Sequence, residues 1–230
     1  MNKLKNQEEF ITKIIDEINF LRQCPQKYAE KLESFMKYFK GKVFKYPEVI
    51  RIMTTEGVTA YEEAISFLEN QEALNKLEYS ANLYHIAEDS LKEIQKFQDV
   101  SQMNELDIDS VIEKHGQVIG AFAQAVDFGS TVAELAIANL FVDDGDQSRG
   151  NRQNLLNPKF KLIGVSTGSH KAYQNSTVIL FARHFFEKGV KPGDLSDDNY
   201  TTESPKRSKL LLNIIFFNVL RALFLNSLNS

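Results

Sequence analysis

The stretch FVDDGDQSRGNRQNLLNPKFKLIGVSTGSHKAYQNSTVILF, residues 141–181, decides the fold of this chain. It opens with a turn-forming Asp-Asp-Gly step, continues through an RGNR loop and an NPKF step, and ends in two segments rich in β-branched and aromatic residues. Because those segments, Lys161–Thr167 and Thr177–Arg183, are separated by the turn-like GSHKAYQN, they predict two neighbouring strands.

The region before this stretch is dominated by helical periodicity. Apolar residues at helical spacing predict a helix over 7–23 and a second one after Pro25. A third is expected over 73–97, whereas 118–128 is compatible with a strand or a buried loop. Capping-box patterns at Thr59–Glu62 and Thr131–Glu134 predict two more helix starts. Helices and strands in blocks indicate an α+β fold with an antiparallel sheet.

Composition excludes several classes of protein. With 43% hydrophobic and 25% charged residues, the chain of 230 residues is typical of a globular protein. The net charge of -4 leaves no basic excess for nonspecific nucleic-acid binding, so no nucleic-acid partner is expected. Cys24 is the only cysteine, which rules out an intramolecular disulfide and a multi-cysteine metal site.

The two ends of the chain suggest a modular organisation. We expect an N-terminal tail at 1–7, a domain at 8–188, a polar linker at 189–209 and a hydrophobic segment at 210–228. That last segment fits a membrane anchor, a helix packed on the domain or on a partner, or a gene-model artefact. No signal peptide is recognisable, so the expected location is cytoplasmic or membrane-associated through the C-terminal segment.

The motifs at 141–181 resemble the CAP superfamily, which includes cysteine-rich secretory, antigen 5 and pathogenesis-related proteins. They are most similar to its SCP-like branch in bacteria and protists. The Asn19, Arg22 and Pro25 step looks like the opening helix of that family. The resemblance implies a three-layer α/β/α sandwich with a central antiparallel sheet. Members of the family are usually secreted, but the N-terminal sequence of this chain offers no support for secretion.

The resemblance also implies a cleft with two histidines and two acidic residues, which hold a divalent cation in several members. The positions that match those residues here are Ser90, Gln124, Asp143 and Asn151, with Asp144 as an alternative to Asp143. Because hydroxyls and amides bring no negative charge, we expect no cofactor and at most weak Zn²⁺ binding. Replacing Ser90 and Asn151 by His and Gln124 by Glu is expected to create a metal site.

These residues favour a non-catalytic binding module whose cleft receives a small ligand, a lipid or sterol, or a peptide. The alternatives are a metal-dependent hydrolase with a reduced site and a membrane-tethered interaction protein that uses 210–228. Arg149 and Arg152 could hold an anionic ligand, but hydrogen bonds to loop carbonyls and Asp side chains are the expectation for them. His170 is not expected to be a ligand.

Overall fold

The computed structural model describes residues 2–47 and 51–190, so most of the expected linker and the whole of 210–228 lie outside the described residues. The helices are α1 (Asn2–Gln23), α2 (Pro25–Met36), α3 (Val58–Glu69), α4 (Ala81–Ile94), α5 (Ile108–His115), α6 (Ala133–Val142) and α7 (Gly150–Leu155), with a 3-10 helix at Val100–Glu105. The strands are β1 (Phe39–Lys40), β2 (Val43–Phe44), β3 (Ile52–Met53), β4 (Glu78–Tyr79), β5 (Gly116–Phe128), β6 (Leu162–His170) and β7 (Gln174–Glu187).

The main sheet has the strand order β4-β6-β7-β5, and β1, β2 and β3 form a small second sheet. The two strands predicted within 161–183 are present as β6 and β7 and pair antiparallel, and residues 118–128, for which a strand and a buried loop were both open, belong to β5, which pairs antiparallel with β7. The short β4 runs parallel to β6, so the sheet is mixed rather than purely antiparallel. The α+β class expected from the sequence is confirmed.

Each face of the main sheet carries its own apolar cluster. Along β7, Ile179 and Phe181 join a cluster with α1 and α6, whereas Val178 and Leu180 join one with α4 and α5. Successive side chains of a strand point to opposite faces, so both faces of β7 are buried. We refer to these two sides as the α1/α6 face and the α4/α5 face.

Tight packing brings α4 onto the α4/α5 face. A Cβ at Gly164 of β6 would collide with the backbone of Leu83 and Tyr84, so this position requires glycine. The helix expected over 73–97 begins only at Ala81, because Ser80 caps it by accepting a hydrogen bond from the Leu83 amide. The residues before Ser80 are extended instead.

Three other expectations about helix ends are wrong. Residues 2–7 belong to α1 rather than to a separate tail, since that segment contains no helix breaker. Neither predicted capping box forms: α3 starts after Gly57, which has a φ of 74°, and α6 starts after Val132. Just before α3, the Asp144 carboxylate accepts hydrogen bonds from the backbone amides of Thr55 and Glu56. A residue distant in the chain therefore replaces the local cap.

No helix within the described residues is long and apolar enough to cross a membrane.

Candidate functional site

Two of the predicted site residues meet where α6 ends. Asp143 has left-handed backbone geometry, with a φ of 54°, and its carboxylate turns towards α7. Asn151 donates its backbone amide to Oδ2 of Asp143 at 2.8 Å and its side-chain Nδ2 to Oδ1 at 2.9 Å. Burial raises the pKa of Asp143 to about 6, although the hydrogen bonds from Asn151 lower it. Both side chains are buried, so the contact is closed to solvent.

Arg149 fastens the loop between these residues. Its guanidinium donates to both oxygens of Glu56 at 2.7 Å and to Glu63 at 2.8 Å. It also donates to the carbonyl of Asp143 at 2.8 Å. The hydrogen bond from Arg149 holds the pKa of Glu56 below its ordinary value. The carbonyl bonds are those expected from the sequence, but the carboxylates are glutamates from α3 and its lead-in instead of the expected Asp side chains.

Arg152 and Asp144 complete the same network. Arg152 donates to Glu63 at 2.7 Å and to the carbonyl of Phe141 at 3.0 Å, and its guanidinium lies 5.1 Å from the Phe141 ring centroid. Asp144 accepts hydrogen bonds from the amides of Thr55 at 2.5 Å and Glu56 at 2.8 Å. The DDG and RGNR motifs therefore hold α3, α6 and α7 together, a structural role for both arginines.

The other two predicted residues lie across the sheet. Ser90 is fully buried in α4 and donates its Oγ hydrogen to the carbonyl of Ile86 at 2.9 Å. Gln124 lies in β5 opposite Leu180, and both belong to the α4/α5 face by strand alternation. The sheet thus separates Ser90 and Gln124 from Asp143 and Asn151. The expected cleft of all four residues does not form, because sequence spacing does not reveal which face of a sheet a helix covers.

Gln124 is unusual among the buried polar residues. Its side chain is 3% exposed, yet neither Nε2 nor Oε1 has a hydrogen-bond partner among the described residues. A primary amide offers two donor hydrogens and two acceptor lone pairs. Leaving such a group unpaired in an apolar layer costs about 1–3 kcal/mol of stability. Half-buried apolar side chains of the same cluster, Val118, Phe122 and Phe185, lie along the β5 and β7 pair that leads to it.

The residues carried over from the family do not fit a divalent cation. Asp143 supplies the carboxylate, but both of its oxygens already accept hydrogens from Asn151. The Asn151 side chain donates through Nδ2 to Asp143, and its Oδ1, which has no hydrogen-bond partner among the described residues, is a neutral oxygen that brings no negative charge to a cation. Within the described ranges, no group of three or more His, Cys, Asp and Glu residues could hold a metal ion.

Sequence reasoning missed a buried acid on the opposite face from Gln124. Asp127 of β5 is 2% exposed and accepts hydrogen bonds from the Ser130 hydroxyl at 2.8 Å and the Ser130 amide at 3.3 Å. Burial raises its pKa to about 6, although the bonds from Ser130 lower it. The available signal was the Asp-x-x-Ser spacing, which permits this local hydrogen-bonded turn.

The last residue of β6 is a histidine with a structural role. His170 lies with Nε2 at 3.1 Å from the Ile94 carbonyl, and its Nδ1 accepts a hydrogen bond from the Ala172 amide. Burial lowers its pKa, which favours the neutral ring that this bonding pattern requires.

Comparison with known proteins gives a partial likeness. No family model matches the chain, and no curated protein matches it. A cysteine-rich secretory protein from Staphylococcus aureus subsp. aureus Mu50 is 20% identical over 55% of this chain and 38% of that chain, with a TM-score of 0.32. An extracellular protein containing an SCP domain from Bacillus anthracis str. Ames is 18% identical over 48% of this chain and 35% of that chain, with a TM-score of 0.32. The chain thus spans less than two fifths of either protein, and the likeness carries no inference about activity.

Proposed function

We propose that this chain is a CAP/SCP-like domain of the bacterial and protist branch that acts as a non-catalytic binding module. The motif order from Asn19 through residues 141–181 supports that assignment. So does the placement of helices on both faces of the main sheet, which is compatible with a three-layer α/β/α sandwich. The proposed ligand is a small apolar molecule with one polar head, such as a fatty acid or a sterol.

The unpaired amide of Gln124 is the observation that carries the choice of ligand. A buried polar group without a partner has an explanation in most native proteins, and ligand contact is one such explanation. A hydroxyl or carboxyl head would pair with the Gln124 amide, while the apolar body would lie against Val118, Phe122 and Phe185. Binding sites of this kind are mainly apolar with few, well-placed polar groups.

The closed contact between Asp143 and Asn151 supports the absence of catalysis. A metal-dependent hydrolase would need a carboxylate free to bind the cation or to act as a base, whereas both oxygens of Asp143 are engaged. We therefore propose at most weak Zn²⁺ binding. A membrane-tethered interaction protein remains the alternative for the full chain, and it depends on residues 210–228, outside the described residues.

Fluorescence titration with cis-parinaric acid and dehydroergosterol tests the proposal. The unmodified chain should bind at least one probe, and Gln124→Leu should weaken that binding roughly tenfold because the head group loses its hydrogen bonds. The matched control is Gln117→Leu, the same change at an exposed position of the same strand, which should bind normally. Equal affinity in Gln124→Leu, or no binding of either probe, would contradict the proposal.

A further inference from the structure

A groove of about 590 Å³ lies between the end of α1 and the extended segment 76–79. It contains none of the residues that the family resemblance singles out as a cleft. Asn19, Phe20 and Cys24 line one side, and Leu77 and Tyr79 line the other. It is therefore independent of the site around Gln124.

Hydrogen bonds between the two walls make this groove preformed. Nδ2 of Asn19 donates to the Leu77 carbonyl at 3.1 Å, and the Leu77 amide donates to Oδ1 of Asn19 at 2.7 Å. The next turn of α1 adds a bond from Nε of the buried Arg22 to the Asn75 carbonyl at 3.0 Å. Because Asn19 makes both of these bonds, the backbone amide and carbonyl of Leu77 are already paired. An extended peptide therefore cannot pair with this edge of the sheet along its length.

The rim of the groove offers unused hydrogen-bonding groups of both kinds. Four lining side chains make no hydrogen bond or ion pair with any residue in 2–47 or 51–190: Asp16, Gln23, Lys76 and Glu78. Carboxylates accept, an ammonium group donates and an amide does both. Since charges of both signs are present, the rim is not complementary to a ligand of one charge sign.

Aromatic surface completes the lining. Tyr79 is 53% exposed, far more than most aromatic side chains of the described residues, and Phe20 is half-buried on the opposite wall. Exposed rings beside mixed donors and acceptors suit a ligand that has both C–H faces and hydroxyl groups. An organic cation could contact the rings, but the ammonium group of Lys76 would repel it. A peptide strand would find the backbone groups of Leu77 already paired with Asn19.

We propose that this groove binds a neutral, hydroxyl-rich ligand, an oligosaccharide. A sugar ring would stack on Tyr79, and its hydroxyls would pair with Asp16, Glu78 and Lys76. The inference goes beyond the proposed lipid-binding function and uses no residue of that site.

Cys24 provides the readout, since it is the only cysteine of the chain and lines the groove. Iodoacetamide alkylation of Cys24, followed by intact-mass spectrometry, would be timed with and without triacetylchitotriose, cellotriose and maltotriose. At least one trisaccharide should slow alkylation in a saturable manner. Protection by putrescine or by a short neutral peptide, with no effect of the trisaccharides, would overturn the proposal, and so would the absence of any protection.

Variants separate stacking from simple shielding. Tyr79→Ala should weaken the saccharide affinity roughly tenfold through loss of ring contact, and Glu78→Gln should weaken it less. Tyr84→Ala removes a neighbouring ring outside the groove and should leave protection unchanged. Gln124→Leu should also leave it unchanged, so a failed lipid test and a failed saccharide test are distinguishable. Unchanged protection in Tyr79→Ala would overturn the stacking arrangement.

Discussion

Arg149, in the loop from Asp143 to Arg152, and Gln124, in the layer on the α4/α5 face, differ in how fully their side-chain polar atoms are hydrogen-bonded. In the loop, Arg149 reaches Glu56, Glu63 and a backbone carbonyl, so each of its guanidinium nitrogens donates to an oxygen. In the layer, the buried Gln124 amide has no hydrogen-bond partner among the described residues. A fully hydrogen-bonded polar network rigidifies a structure. A buried polar group without a partner costs stability, which a ligand that pairs with it would restore. The comparison assigns architecture to the loop, and it is the reason why ligand contact is proposed for the layer.

The largest effect should come from breaking the loop network. Arg149→Ala leaves Glu56 without its guanidinium partner and removes one of the two arginines that bind Glu63, so we expect a loss of about 2–3 kcal/mol in the free energy of unfolding. Chemical denaturation would measure it. Lys13→Ala, which removes an exposed ion pair with Glu9, is the control and should cost less than about 0.5 kcal/mol. Similar losses in both variants would show that the loop network is no stronger than a surface pair.

Acid should change the contributions of Glu56 and Asp127 to stability in opposite directions. The folded-state pKa of Asp127 is raised to about 6, so its ionisation opposes folding. Its contribution is present below the ordinary carboxyl pKa and is lost as pH rises through about 6. Glu56 has a lowered pKa, so its contribution is present at neutral pH and lost as acid protonates it.

The test for Asp127 is the difference in unfolding free energy between Asp127→Asn and the unmodified chain. Asparagine cannot ionise, so the variant should gain stability relative to the unmodified chain as pH increases from 4 towards 7. Denaturant titrations at several pH values would measure this gain. Parallel stability curves for the two proteins would contradict the raised pKa.

Substitution of Gln124 should change the free energy of unfolding less than Arg149→Ala does, and in the opposite direction. Gln124→Leu removes an unpaired amide and fills the same space with apolar atoms, so it should stabilise the ligand-free protein by about 1 kcal/mol. Thermal and chemical denaturation would report the gain. A destabilised variant would show that Gln124 has a hydrogen-bonding role in the ligand-free protein, which would remove the contrast with the loop.

The smallest expected effect is on metal affinity, which combining substitutions at the four family-derived positions should not increase. Asn151→His places an imidazole beside Asp143, but adding Ser90→His and Gln124→Glu should not increase Zn²⁺ affinity further, because the sheet lies between the two pairs. Calorimetry on the single and triple variants would compare them. Clearly tighter binding by the triple variant would mean that the four positions converge after all.

Much of the secondary structure followed from local patterns. The helical periodicity before residue 97 and the β-rich segments at 161–183 were found where expected, because burial of one stripe or face imposes a period on the sequence. Helix starts were less predictable. Gly57 and Val132 replaced the expected caps, since amides near α3 are satisfied by Asp144, which is 88 and 89 positions away in the chain.

The candidate site was only half predictable. Asp143 and Asn151 are eight positions apart and meet through a short loop, so their contact follows from proximity along the chain. Ser90 and Gln124 belong to a helix and a strand whose relation depends on which side of the sheet α4 packs. The close approach of α4 to Gly164 decides that side.

The amino-acid sequence therefore determined the classes of element, the two-strand unit at 161–183 and the bonds of both arginines to nearby loop carbonyls. These follow from periodicity, turn chemistry and charge, which act over short separations. Tertiary packing alone decided that the sheet divides the four family-derived positions, that Gln124 is buried with no hydrogen-bond partner in 2–47 or 51–190, and that Asn19 forms a groove with Leu77. Each of these depends on groups far apart in the chain, whose meeting is set by how whole faces pack and not by local preference.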